Sequence, residues 1–175
     1  MSIAFFNRRI CLRAVILAFL AFPSAAMVDP APAAPNCSWA LQGGQQASDL
    51  RQYHGKVLYV DFWASWCAPC VLSFPFMNDL QGAFGDQGLQ VVGVDMDEKP
   101  DDAQRFLAEH PARFSIATGT NAQCAKKFGV AAMPSSYLID RNGTVRFVHK
   151  GFREGDAGEL RAQVQQLLAE KPAVQ

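Results

Sequence analysis

Histidine is scarce in this chain, and neither sign of charge is in excess. Three histidines occur among 175 residues, and 16 lysines and arginines balance 16 aspartates and glutamates. A balanced charge gives no electrostatic reason to expect a nucleic-acid partner. The histidines stand singly at His54, His110 and His149. They therefore supply no second pair of ligands for a structural zinc site, which needs four.

Long apolar runs are also lacking, apart from one near the start. Three arginines within the first 13 residues precede an apolar stretch from Ala14 to Phe22, which small residues follow. This order is typical of a secretory signal. Nine residues span about 13 Å as a helix, short of the roughly 30 Å hydrocarbon core, so a membrane anchor is the less favoured alternative. We expect residues 1–26 to be a cleaved signal peptide, exported by the general or the twin-arginine route, and the mature protein to be periplasmic.

Cysteines are few, and one of the five, Cys11, lies inside the predicted signal. Disulfides persist in the oxidising compartment to which the signal points. Four cysteines remain there: Cys37, Cys67, Cys70 and Cys124. Residues 27–36 are mostly alanine and proline, which predicts an extended tether. We expect the ordered domain to cover residues 37–175.

Strand and helix patterns alternate along that domain. Apolar runs at 57–62 and 89–94 predict buried strands, and a helical pattern from about Pro69 to Phe84 lies between them. Asp101 is a candidate N-cap for a second helix. Two later strands, from Ser136 to Ile139 and from Thr144 to Val148, are joined through Arg141-Asn142-Gly143, whose Asn-Gly pair predicts a tight turn. An apolar stripe predicts a C-terminal helix. The sequence predicts an α/β fold with a mixed central sheet flanked by helices.

The pair Cys67-Ala68-Pro69-Cys70 lies between the first strand and the first helix. Two cysteines at this spacing form a metal clip, a structural bridge or a redox pair. Context favours the redox pair, because Cys67 would lie at a helix N-terminus, where unpaired amides and the helix dipole stabilise a thiolate. Only the thiolate attacks a disulfide. Cys70, one turn further on, would be close enough to displace a mixed disulfide.

The segment around this pair is similar to the active-site segment of thioredoxins. It reads Val60-Asp61-Phe62-Trp63-Ala64-Ser65-Trp66-Cys67-Ala68-Pro69-Cys70. From about Cys37 to Leu168 the chain resembles the exported TlpA/ResA-like branch of that superfamily. The matching segments are His54-Gly55-Lys56-Val57, Val91-Val92-Gly93-Val94-Asp95, Phe128-Gly129-Val130-Ala131-Ala132-Met133-Pro134, Tyr137-Leu138-Ile139-Asp140-Arg141-Asn142-Gly143 and Gly151-Phe152.

The resemblance implies a thioredoxin-like fold with an N-terminal lead-in and an exported thiol–disulfide oxidoreductase, which we expect to reduce disulfides in other proteins. It implies no cofactor and no metal, and it suggests a membrane thiol electron donor and a monomer. Cys67 would be the nucleophile and Cys70 the resolving thiol. Pro134 would be the family's cis-proline, and Asp61 the buried acid that exchanges a proton with Cys70. The expected substrate-binding residues are Trp66, Ala68, Pro69 and Met133.

Two positions depart from the family pattern. Many TlpA/ResA-like proteins have a glutamate three residues after the second cysteine, where this chain has Ser73. Asp61 is then the better candidate for the proton partner. Members that serve cytochrome c maturation tend to have a glutamate after the cis-proline, where this chain has Ser135. A role in cytochrome c maturation is therefore a secondary alternative.

Several alternatives stay open at the level of sequence. Cys37 and Cys124 could form a structural disulfide, or both could be buried free thiols. Cys67, Cys70 and the Met133 thioether could hold Cu(I), because soft sulfur ligands select that ion. Asp61 could instead face solvent. Without the family resemblance, Pro134 would be an ordinary trans proline.

Overall fold

The structure, a computed structural model, describes residues 31–42, 45–118 and 121–171 of the chain. The predicted signal and residues 27–30 lie outside these ranges. The described strands and α-helices are, in chain order, β1 (Ser38–Leu41), β2 (Gln45–Asp49), β3 (Val57–Trp63), α1 (Ala68–Phe84), β4 (Leu89–Asp95), α2 (Pro100–Glu109), β5 (Ser115–Thr118), α3 (Ala122–Phe128), β6 (Ser135–Ile139), β7 (Val145–Lys150) and α4 (Ala157–Ala169).

Among the described residues, the strands form one seven-stranded sheet in the order β2-β1-β5-β4-β3-β6-β7. The central strands β3, β4 and β5 are parallel to one another, and the remaining neighbours pair antiparallel. Parallel strands need a crossover between them, which α1 provides between β3 and β4 and α2 provides between β4 and β5. The prediction of a mixed sheet flanked by helices is confirmed.

All seven residues of β3 are buried, because the strand has neighbours on both edges and packed layers on both faces. Side chains alternate between the faces of a strand. Val57, Tyr59 and Trp63 pack with α1, α2 and α4, whereas Leu58 and Phe62 pack with α3 and β1. The α1 face is closed by Phe74, Met77, Leu80, Phe106, Leu160 and Val164. Asp61 is on the α1 face by the same alternation, and it is the one ionisable carboxyl group in an otherwise apolar or aromatic strand.

The connection between β6 and β7 covers residues 140–144, one residue more than predicted, because β7 begins at Val145 instead of Thr144. Among the described residues, only glycines have positive φ, and Gly143 is one of them at 81°, whereas Asn142 is not. The turn is organised by Asp140, whose carboxylate accepts hydrogen bonds from the backbone N–H groups of Asn142 at 2.9 Å and Thr144 at 3.0 Å. A side-chain acceptor thus takes the place of a second left-handed residue.

Helix α2 begins two residues earlier than predicted. Its N-cap is Lys99 and its first residue is Pro100, so Asp101 lies inside the first turn instead of capping it. Proline is favoured at the first helical position, because its fixed φ suits the helix and its missing N–H has no partner there. The acidic groups of Asp101 and Asp102 still lie where the helix dipole favours negative charge.

Part of the predicted tether lies against the domain. Ala33 forms an isolated antiparallel bridge with Thr144, and the carbonyl of Pro32 accepts a hydrogen bond from the Val145 N–H at 3.0 Å. The Ala34 N–H donates to the Gly143 carbonyl at 2.8 Å. Alanine and proline composition suggested a segment without partners, but the open edge at the β6–β7 turn offers backbone groups that pair with it. The packed part of the chain therefore begins before Cys37.

A disulfide joins Cys37, just before β1, to Cys124 in α3, with a Cα–Cα distance of 5.6 Å. Both residues are buried beside Trp39 and Phe128. The bridge therefore ties the N-terminal strands to the helix that leads into the Met133–Pro134 loop.

Removing this bridge should destabilise the protein strongly. The Cys37→Ala/Cys124→Ala variant should lose on the order of 4 kcal/mol of unfolding free energy, because the bridge closes a loop of 87 residues. Urea unfolding of the oxidised protein would measure the loss.

The matched control is a Cys67→Ser/Cys70→Ser variant, which removes a disulfide that closes a separation of only three residues. Its expected loss is about 2 kcal/mol by the same chain-entropy argument. Equal losses in the two variants would contradict the assignment of the first bridge as the main covalent constraint.

Candidate functional site

The two predicted redox cysteines meet at the start of α1. Cys67 is the N-cap residue of this helix, and Cys70 lies in its first turn. They are joined by a disulfide with a Cα–Cα distance of 5.3 Å. The Cys67 N–H donates to the Ala64 carbonyl at 3.1 Å, which closes a four-residue turn between β3 and α1. Pro69 within the first turn fits a position where a helix needs no backbone donor.

The surface around the disulfide is apolar and open. Trp66 is 69% exposed and Leu72 is 46% exposed, although both are large hydrophobic side chains. Ala68 and Pro69 are exposed between the two cysteines. Contiguous apolar exposure of this kind is typical of a protein-binding surface. Trp63, by contrast, is fully buried beneath the site, with ring centroids 4.9 Å from those of Phe74 and Phe106.

The structure brings the Met133–Pro134 segment to the same cluster. The peptide bond between these residues is cis, as the resemblance implied. Met133 is half-buried and packs against the core cluster that contains both Cys67 and Cys70, whereas Pro134 is buried. The Pro134 carbonyl accepts a hydrogen bond from the Gly151 N–H at 2.7 Å. A segment 67 positions away in sequence thus packs against the cluster that contains the two cysteines.

Asp61 is fully buried on the face of β3 that also carries the cysteine cluster. Its Oδ1 accepts a hydrogen bond from the Ser136 hydroxyl at 2.6 Å, and the Tyr59 hydroxyl donates to the Ser136 oxygen at 2.9 Å. Its Oδ2 has no hydrogen-bond partner in the part of the chain that the structure describes. Burial raises the pKa of Asp61 to about 7, and the hydrogen bond from Ser136 opposes part of that rise.

The two hydrogen bonds run in one direction, from Tyr59 to Ser136 and from Ser136 to Oδ1 of Asp61. The Ser136 hydroxyl has one hydrogen, which it gives to the carboxyl group, and it accepts the hydrogen of Tyr59. The neutral form of Asp61 would therefore hold its proton on Oδ2. Ser136 was not predicted, although the antiparallel pairing of β6 with β3 places it directly opposite Asp61.

The two positions that depart from the family pattern are occupied by buried serines. The Ser73 hydroxyl donates to the Cys70 carbonyl at 3.1 Å, and the Ser135 hydroxyl donates to the Ala132 carbonyl at 2.7 Å. Both hydroxyls are thereby satisfied within the chain. Neither serine titrates in the neutral pH range. Neither can therefore replace Asp61 as the predicted proton partner of Cys70.

A second polar contact, which sequence reasoning missed, holds the turn before Cys67. The Ser65 N–H and hydroxyl both donate to the Asp97 carboxylate, each at 2.8 Å. The Asp97 N–H in turn donates to Asp95 Oδ1 at 2.9 Å. Burial is the largest cause that raises the pKa of Asp95 to about 6, and the charge of Asp97 adds to it. Asn121 completes the contact by donating to the Asp95 carbonyl at 2.8 Å.

No group of three or more histidine, cysteine, aspartate or glutamate side chains is arranged to hold a metal ion within residues 31–42, 45–118 and 121–171. Within the same ranges, no helix has the length and apolar character needed to cross a bilayer.

Comparison with known proteins identifies the family. The Redoxin family pattern matches residues 29–165. The chain belongs to the Redoxin family. Its TlpA/ResA-like character within the thioredoxin superfamily, predicted from the sequence, is confirmed by this match together with the relatives below.

The curated relatives are thiol-disulfide oxidoreductases named ResA. The protein from Bacillus thuringiensis subsp. konkukian is 31% identical over 97 residues, which are 55% of this chain and 56% of that protein. The chain therefore aligns with little more than half the length of this relative. A ResA of Bacillus cereus is 28% identical over 119 residues, or 68% of each chain.

Solved structures share the fold over most of the chain. A structure described as a thiol:disulfide interchange protein DsbE from Chlorobium tepidum has a TM-score of 0.76 and 42% identity, covering 81% of this chain and 99% of that one. A protein from Bacteroides thetaiotaomicron, described as a protein disulfide isomerase, has a TM-score of 0.73 and 25% identity, covering 82% and 92%.

The stability of the protein should report the raised pKa of Asp61. Between the usual carboxyl pKa near 4 and about 7, the folded protein keeps a proton on Asp61 that the unfolded chain has released. Stability contributed by this group is present at low pH and lost as the pH rises to about 7. The unfolding free energy of Asp61→Asn minus that of wild type should therefore be larger at pH 8 than at pH 4, by on the order of 4 kcal/mol.

Urea unfolding of wild type and Asp61→Asn at pH 4 and pH 8 would measure this difference. The amide oxygen of Asn still accepts from Ser136, so the comparison isolates the ionisation. The control is Asp86→Asn, which removes an exposed carboxylate and should show little pH-dependent difference. A constant difference between wild type and Asp61→Asn across this range would contradict the buried, proton-exchanging carboxyl group.

Proposed function

We propose that this protein is an exported thiol–disulfide oxidoreductase that reduces disulfides in other proteins. The observation that carries the proposal is the Cys67–Cys70 disulfide at the first turn of α1, over a buried carboxyl group on the same face of the sheet. Each of these features serves a different step of thiol–disulfide exchange. The names of the ResA and DsbE relatives agree with this chemistry.

In the first step, reduced Cys67 attacks one sulfur of a substrate disulfide as a thiolate. Its position as N-cap of a 17-residue helix favours the thiolate, because unpaired backbone N–H groups and the positive end of the dipole face it. A mixed disulfide forms between Cys67 and the substrate, and the other substrate sulfur leaves as a thiolate that takes a proton from water.

In the second step, the Cys70 thiol gives its proton to Oδ2 of Asp61 and attacks the Cys67 sulfur. Cys70 is fully buried, so it has no direct access to solvent for this proton. A carboxyl group with a pKa of about 7 can both accept and release a proton at neutral pH. The mixed disulfide breaks, and the second substrate sulfur leaves as a thiolate that takes a proton from water. Two electrons have then passed from the enzyme dithiol to the substrate disulfide.

Substrate binding would use the apolar surface around the pair. Trp66, Ala68 and Pro69 provide exposed contacts, and Met133 presents its backbone beside a proline that has no N–H to compete. An extended substrate segment can pair with such backbone. This surface is open, which suits a protein substrate rather than a small molecule held in a pocket.

The remaining features of the cycle are parts of the same proposal. Residues 1–26 would direct export and be removed, and the mature monomer would work in the periplasm. Reduction of the Cys67–Cys70 disulfide requires two electrons from a dithiol donor, which we assign to a thiol relay in the membrane. The exchange itself needs no organic cofactor and no metal.

Variants of the two cysteines should separate their roles. Cys67→Ser should reduce insulin at no more than the background rate of dithiothreitol alone, because the attacking sulfur is lost. Cys70→Ser should form a mixed disulfide that is not resolved, which non-reducing electrophoresis and mass spectrometry of the adduct would detect.

The matched control is the Cys37→Ala/Cys124→Ala variant, assayed at a temperature where it is folded. It removes two sulfurs outside the site and should keep insulin reduction within a few-fold of wild type. Full activity in Cys67→Ser would overturn the assignment of the nucleophile. Adducts that accumulate on Cys67→Ser instead of Cys70→Ser would reverse the two roles.

A further inference from the structure

The contact between Ser65 and Asp97 places a carboxylate at the base of the reactive turn. Asp97 follows β4, and its two oxygens accept the two hydrogen bonds from Ser65. A carboxyl group that accepts through both oxygens is best satisfied in its ionised form, which has acceptors only. The N–H of Asp97 is held by Asp95, so the position of the carboxylate is fixed from both sides.

Ser65 lies inside the turn that ends at Cys67. The hydrogen bond from the Cys67 N–H to the Ala64 carbonyl closes this turn around Ser65 and Trp66. The strand end is held as well, because the Met96 N–H donates to the Trp63 carbonyl at 2.9 Å. The segment from Trp63 to Cys67 is therefore bonded to the residues after β4 at two points, Trp63 and Ser65. At Ser65 the acceptor is the Asp97 carboxylate.

We propose that Asp97 is a positioning residue that holds the turn before Cys67 and makes the Cys67–Cys70 pair more reducing. A negative charge beside a thiol disfavours its thiolate. Because the reduced form of a redox pair is stabilised by thiolate formation, a charge that opposes the thiolate favours the disulfide and lowers the reduction potential. This inference rests on the proposed function, since it explains the direction of exchange.

Asp97 would oppose the effect of the helix N-terminus. The dipole of α1 stabilises the Cys67 thiolate enough for attack, and the carboxylate limits that stabilisation so that the dithiol still gives up its electrons. The other ionisable side chains on β3, in the first turn of α1 and at the end of β4 are Tyr59 and Asp61, Cys70, and Asp95, respectively. Of these, only Asp95 contacts Asp97.

The test is the equilibrium of the full-length mature protein with glutathione at pH 7. In this reaction the protein disulfide and two glutathione thiols give the protein dithiol and one glutathione disulfide. Asp97→Asn should raise the equilibrium constant roughly fivefold, which corresponds to a potential about 20 mV higher. The midpoint of the Cys67 thiolate absorbance against pH should fall in the same variant. The matched control is Glu98→Gln, an exposed neighbour whose loss of charge should change the constant less than twofold.

A second pair of variants keeps the test valid if Asp97→Asn folds poorly. In Asn an NH₂ group replaces one of the two carboxylate oxygens that accept from Ser65, so one of these two hydrogen bonds has to be rearranged. Ser65→Ala removes the hydroxyl, and Ser65→Ala/Asp97→Asn then satisfies the remaining N–H with the amide oxygen. The double variant should show the roughly fivefold increase relative to Ser65→Ala, whose own constant should stay within twofold of wild type.

An unchanged constant in both Asp97 variants, or an equal change in Glu98→Gln, would overturn the proposal. Asp97→Glu, which keeps the charge, should return the constant toward the wild-type value, and failure to do so would also count against it. The equilibrium needs no protein substrate. If the wild type failed to reduce insulin, the proposed function would be wrong. The glutathione equilibrium constants of the Asp97 variants could still be compared with that of the wild type.

Discussion

The burial of one face of β3 governs both the protein's stability and its proposed chemistry. That face carries Tyr59, Asp61 and Trp63 and is covered by α1, α2 and α4. An apolar layer of this kind stabilises the fold, but it also removes water from Asp61 and Cys70. The cost of placing a carboxyl group there is what raises its pKa to about 7. The same packing that holds the sheet together thus prepares a proton acceptor for a neutral-pH reaction.

The cysteine pair is buried beside an exposed apolar surface and is held in place by its neighbours. Trp66 and Pro69 face solvent, whereas Cys70 has no exposed surface. The turn before Cys67 is held by Asp97, and the helix before the Met133–Pro134 segment is held by the Cys37–Cys124 bridge. The cysteine pair is therefore held on regular secondary structure rather than on a loop, which keeps its geometry fixed.

Local signals accounted for most of the fold, and contacts between distant segments accounted for the rest. The runs that form β3 and β4 and the helix after Cys67 follow from apolar pattern and capping alone. Asp61 could be singled out because a carboxyl group in a buried strand is rare. Ser136 and Asp97 could not, since their importance depends on the pairing of β6 with β3 and on the turn after β4. The parallel pairing of β3 and β4 contains the missing information: residues just after two adjacent parallel strands lie at the same edge, as Ser65 and Asp97 do.

The bridge between Ala33 and Thr144 fixes the place at which residues 32–34 meet the domain. Thr144 adjoins the end of the sheet where β3 begins, because Leu58 pairs with Ile139 there, whereas Cys67 follows the opposite end of β3. The chain thus joins the domain at the pole opposite the reactive disulfide. The exposed surface around Trp66 is therefore at the end of the sheet away from residues 32–34.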